Sequence, residues 1–87
     1  MKIKDGFMLR EIAGSWVVIP LGQRVVEFNG MMSLNESGVL IWNMLEKGAE
    51  MDELVEAMLS EYNVDEATAR ADIEEIVELI KARGLLE

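Results

Sequence analysis

Met31-Met32-Ser33-Leu34-Asn35-Glu36-Ser37-Gly38-Val39-Leu40-Ile41-Trp42 is the stretch where the chain changes character. Before Leu34 the apolar residues are largely β-branched or aromatic and stand in short runs; after it they recur at helical spacing. Asn35 suits a helix N-cap, because its side-chain oxygen can accept an orphan backbone N–H, and Glu36 favours the positive end of the helix dipole. The spacing predicts a helix from about Glu36 to Glu46, with Val39, Trp42 and Leu45 as its apolar face and Leu40 and Ile41 beside them. Lys47-Gly48 closes that helix, a base near the carbonyl end followed by a glycine that can turn left-handed.

Upstream, Phe7–Ile12 alternates loosely and Ser15–Pro20 is β-branched and aromatic, so both read as strands joined by the Ala13-Gly14 turn. Pro20 ends the second strand or places it at an edge, since proline donates no ladder hydrogen bond. Arg24–Phe28 reads as a third extended run, and Asn29-Gly30 as a type I′ hairpin turn returning the chain through Met31–Leu34. Downstream, a second helix is expected over about Asp52–Glu61, with Leu54, Val55, Met58 and Leu59 inward. A third follows Asp65 as N-cap, carries Ala69, Ile73, Ile76, Val77 and Ile80 at helical spacing, and ends at Gly84 with Leu85-Leu86 folding back onto it.

The pattern is therefore α+β: a small antiparallel sheet of three or four strands followed by three helices, which suits a winged helix-turn-helix arrangement. With 87 residues and no linker or repeat, one domain spanning 1–87 is expected. An apolar fraction of 51% excludes a disordered chain, yet a domain this small leaves little room for a deep catalytic cavity. Cys and His are absent, which removes disulfides, thiolate nucleophiles, imidazole bases and the usual zinc, copper and iron ligands. Met1-Lys2-Ile3-Lys4-Asp5 carries an acid at once with no apolar run behind it, so no secretory signal and no membrane span are expected, and a cytoplasmic location fits.

The net charge is −9, and all of it lies in one half. Residues 1–44 carry four bases and four acids, whereas residues 45–87 carry four bases and thirteen acids. Such a half repels phosphate and anionic lipid. Residues 64–83 hold six acids against three bases, the reverse of a DNA-reading helix, so nucleic acid is not the expected partner.

No glycine-rich phosphate loop and no Ser-x-x-Lys is present, and no serine has a histidine to activate it. The carboxylate pairs Asp52/Glu53, Asp65/Glu66 and Glu74/Glu75 read as solvated charge on polar helix faces. No catalytic residue, metal site or cofactor is therefore expected. Of the adjacent Met31 and Met32, a strand turns one to the core and the other outward. Met44, Met58 and Trp42 read as core, while Trp16 is open between core and a half-exposed place. On the third helix a second row, Ala69, Asp72, Ile76, Leu79 and Arg83, flanks the core stripe and could line a groove against a neighbouring strand.

Leu34-Asn35-Glu36-Ser37-Gly38 followed by Ile41-Trp42 and Leu45 resembles the strand-to-helix signature of the PqqD-like family. Tyr62-Asn63-Val64, Asp72 and Gly84-Leu85-Leu86 extend the resemblance over about Phe7 to Leu86. It implies a winged-helix-like adaptor that binds the leader of a ribosomally made precursor peptide as an added strand. The adaptor then presents that leader to a modifying enzyme, often a radical SAM protein. Mapped here, the resemblance implies Met31, Met32, Ser33 and Leu34 as the docking strand, faced by Asp72, Ile76 and Leu79; Arg83, from the same helix row, joins them as a candidate site residue. The Gly22–Gly30 segment is longer than in a minimal member, so Arg24–Phe28 competes as docking strand; Met31–Leu34 is preferred because it leads directly into Asn35. A structural or regulatory protein-interaction subunit that never meets a precursor peptide is the first alternative, and a winged-helix DNA-binding protein, disfavoured by the acidic third helix, is the second. A second copy of the chain could also satisfy an open strand edge, giving a homodimer.

Overall fold

The first two strands of the computed structural model, which describes residues 1–27 and 31–87, form a hairpin whose burial is concentrated at Val17 and Val18. β1 (Phe7–Ile12) and β2 (Ser15–Pro20) pair antiparallel from Phe7↔Pro20 to Ile12↔Ser15. The turn between them has φ +52° at Ala13 and +82° at Gly14, the positive pair that a type I′ turn requires. β3 (Met32–Leu34) adds to the other side of β2, in the register Trp16↔Leu34, Val17↔Ser33 and Val18↔Met32. The sheet is three-stranded, ordered β1-β2-β3.

Residues 24–27 do not form the extended run that their valines suggest. Arg24–Glu27 is a single helical turn, α1. Both edges of β2 are taken by β1 and β3, so the central strand offers this segment no place. Its turn is closed by Arg24 N–H donating to Leu21 O, Val25 N–H to Gly22 O and Val26 N–H to Gln23 O. Arg24 anchors it: Nε donates to Asp5 O at 3.0 Å, and the guanidinium lies 5.6 Å from the centre of the Phe7 ring. Tertiary anchoring outweighs a β-propensity worth at most about 1 kcal/mol. Val26 is left 90% exposed. The expected Asn29-Gly30 turn and Phe28 lie outside the described residues.

Three longer helices follow: α2 (Glu36–Lys47), α3 (Met51–Glu61) and α4 (Glu66–Ala82). Asn35 caps α2, its Oδ1 accepting from Gly38 N–H at 2.9 Å. Glu50 and Glu53 form a reciprocal capping box on α3. Asp65 caps α4, with Oδ1 accepting from Thr68 N–H at 2.7 Å. At the far end of α4, Gly84 N–H donates to Lys81 O and Leu85 N–H to Ile80 O, with Gly84 at φ +75°. This is a Schellman closure, and it drives Leu85 fully into the core.

The core gathers Val18, Met32 and Leu34 from the sheet, Ile41, Trp42 and Leu45 from α2, Leu54, Val55 and Met58 from α3, and Ala69, Ile73, Val77 and Ile80 from α4. Leu59, expected inward, is 38% exposed at the edge of the α3 face. Ala69 belongs to the core stripe of α4 and not to its flanking row. Met44 is half-buried against the core, and Trp16 is half-buried on β2. Ile3 closes the base: its N–H donates to Leu45 O and it bridges Leu86.

Candidate functional site

Period-two alternation along β3 sends Met32 and Leu34 into the core and leaves Ser33 outside. Among the described residues β3 pairs with β2 alone, so its other side is an edge whose backbone N–H and C=O groups have no ladder partner. The chain then passes through Asn35, still extended at φ −83° and ψ −178°, straight into α2. That passage is tight. A Cβ on Gly38 would lie 3.2 Å from Asn35 Oδ1 and 3.2 Å from Leu34 Cβ and Cδ2, so glycine lets the first turn of α2 press against the end of β3. Ser37 Oγ donates to the same Asn35 Oδ1 at 3.0 Å.

Opposite this edge stands the polar flank of α4. Asp72, Glu75, Ile76 and Leu79 recur at i, i+3, i+4 and i+7 and so share one helix face. With Ser33, Leu34, Asn35, Ser37 and Gly38 they line a groove of about 400 Å³. Its floor is mixed: Leu34 is core, Ile76 is half-buried against the core, and Leu79 is 46% exposed. Two carboxylates stand on the α4 wall, and no lysine or arginine lines the groove among the described residues. Arg70 is turned elsewhere, paired with Asp52 at 3.3 Å and Glu66 at 3.8 Å.

The structure thus brings together five of the eight residues expected at the site: Ser33, Leu34, Asp72, Ile76 and Leu79. The other three stand apart. Met32 is 3% exposed and fills the core, Met31 precedes the strand at 68% exposed, and Arg83 is the C-cap residue of α4. Sequence reasoning missed Asn35, Ser37, Gly38 and Glu75 as lining residues. Asn35 was legible only as a cap, but Glu75 could have been found from its i+3 spacing to Asp72. Among the described residues no group of three or more acids is placed to hold a metal ion, and no helix is long and apolar enough to cross a membrane. The groove offers an open backbone edge, apolar side chains and an acidic wall, a combination suited to an extended peptide.

Three strands, a helix-turn-helix core and a strand-edge groove define a winged-helix-like α+β domain. The family described as Coenzyme PQQ synthesis protein D (PqqD) matches residues 15–86, and the chain belongs to that family. Among solved structures it is similar to TbiB1 in complex with the TbiA(beta) leader peptide, at 31% identity and a TM-score of 0.78, covering 100% of this chain and 95% of that one. It is also similar in fold to a lasso peptide synthetase B1 complexed with the leader peptide, at 21% identity and a TM-score of 0.74, covering 97% and 93% respectively. No curated protein sequence matches the chain.

Proposed function

We propose that this domain binds the leader segment of a ribosomally synthesised precursor peptide and presents it to a separate modifying enzyme. The leader adds as a strand to the open edge of β3 and lies in the groove against α4. The observation that carries this reading is the pairing of an unoccupied strand edge with a partly apolar helix face across a groove of about 400 Å³. Family membership supports it, as does the similarity to two proteins solved with leader peptides bound. Ser33 and Leu34 supply backbone pairing, Ile76 and Leu79 the apolar contact, and Asp72 a polar anchor. Met31 sits where the edge begins, Met32 holds β3 to the core, and Arg83 lies one helical turn beyond Leu79. A radical SAM protein is the kind of modifying enzyme that the family resemblance suggests.

The test is an NMR titration of the chain with the leader of a precursor peptide encoded near its gene. Shifts are expected on Ser33, Leu34 and Asp72–Leu79. Leu79→Asp, at a half-exposed position, should leave folding nearly intact and weaken binding about tenfold or more, by putting a charge into an apolar contact. Shifts confined to the exposed faces of α2 and α3, or equal affinity in Leu79→Asp, would overturn the proposal.

A further inference from the structure

A second hollow adjoins the groove. It measures about 330 Å³ and is lined by Asn35, Glu36, Ser37, Met58, Tyr62, Val64 and Asp72. Asn35, Ser37 and Asp72 line both. The two therefore form one trough that starts between β3 and α4, crosses the capped start of α2, and ends against the segment joining α3 to α4. Asp72 stands at the crossing. The far hollow is floored by buried Met58 and half-buried Tyr62, with Val64 at its rim. Three carboxylates, those of Glu36, Asp72 and Glu75, line the trough, and no cationic side chain lines it among the described residues.

Resting on the proposed function, we infer that the bound peptide continues past the end of β3 into the Met58–Tyr62–Val64 hollow and carries a lysine or arginine at the crossing, against Asp72. The spacing follows from the two backbones. From Ile76 to Asp72 is one turn of α4, about 6 Å along the axis. Two residues of an extended peptide span about 6.6 Å and point to the same face. With the peptide running along α4, an aliphatic side chain seated on Ile76 thus places the residue two positions away beside Asp72. A second apolar or aromatic side chain further along enters the far hollow. A base at the crossing meets Asp72 directly, with Glu36 and Glu75 adding to the local field; an acid there meets like charge. Edge pairing alone is blind to sequence, so these two subsites supply the selectivity.

The test uses a displayed library of random peptides, about twelve residues long, selected on the full chain. Enriched sequences should share an aliphatic residue, a lysine or arginine two positions from it, and a second apolar residue beyond. For one such peptide, Asp72→Asn should weaken binding about threefold to tenfold, the effect should shrink at high salt, and it should vanish when the peptide's base is replaced by glutamine. Val64→Asp should weaken the whole peptide but not one truncated before its second apolar residue. Circular dichroism verifies that both variants fold. Peptides that bind, lose affinity in Leu79→Asp, and yet show no base preference and no response to Asp72→Asn or Val64→Asp would overturn this inference and leave the proposed function standing. Recovery of no binding peptide, or of peptides indifferent to Leu79→Asp, would overturn both.

Discussion

Trp42 is the largest side chain in the core with no exposed surface, and its indole Nε1–H finds no hydrogen-bond partner among the described residues. Two opposed effects meet there. Deleting the ring leaves a cavity, so Trp42→Ala should cost about 3–5 kcal/mol. Trp42→Phe removes the buried, unpartnered donor along with part of the volume, and the first offsets the second, so its loss should stay under about 2 kcal/mol. Urea melts of the two variants check the order, and a phenylalanine as costly as an alanine would show that the N–H is satisfied after all. Trp42 was legible in the sequence because it shares a helical stripe with Leu45. Other residues were not. Met31 and Met32 are chemically identical, and only the alternation of β3 decides that Met32 is core. Glu75 belongs to an acidic pair that looks like ordinary solvated charge until Ser33 and Leu34 are seen across from it.

α2 and α4 were the most legible elements because capping and periodicity agree at both their ends. Asn35, Asp65 and Gly84 all take the roles their chemistry suggests. Asp65 also makes a pH prediction. Its carboxyl is held below its ordinary value of 3.8, first by the backbone N–H of Thr68 and then by the Thr68 side chain. The stabilisation it adds is full above that ordinary value and is lost as the pH falls through the lowered one. Asp65→Asn keeps an oxygen for the Thr68 N–H but cannot titrate. Urea midpoints followed from about pH 5 to about pH 2 should therefore fall less steeply in the variant than in the parent; parallel curves would show that the cap does not govern acid stability. Strand-poor segments were harder to read. Arg24–Glu27 carries β-formers yet makes a helical turn, because the central strand is already paired on both sides and Arg24 is anchored to Asp5 O and the Phe7 ring. No local pattern records that β2 lies in the middle of the sheet.

Ile3 shows what only the whole molecule reveals. It stands alone between Lys2 and Lys4, with no period to mark it, yet it is buried and ties the first residues to α2 and to Leu86. In a core this small, Ile3→Ala should lose about 2–5 kcal/mol, a large share of a typical domain's stability. A shift in the urea midpoint worth less than about 1 kcal/mol would mean that the first residues are not docked. The fold class was legible because a run of strands followed by a run of helices has few compact solutions. The groove was only half legible: its helix wall could be read from spacing, but the trough beyond Asn35 depends on how α3 and α4 are joined in space.

The open edge of β3 carries a hazard as well as a use. Any exposed strand can recruit the same strand from another molecule, which is how native proteins begin to aggregate. Here the edge is three residues long, and its rim bears Asp72 and Glu75. A second copy approaching head-on brings the same carboxylates and the same net charge of −9. The acids inferred to favour a basic guest would also act as gatekeepers against self-templating. On the proposed reading, the charge that discriminates between guests is the same charge that meets an approaching copy, and a change at Asp72 or Glu75 would alter both.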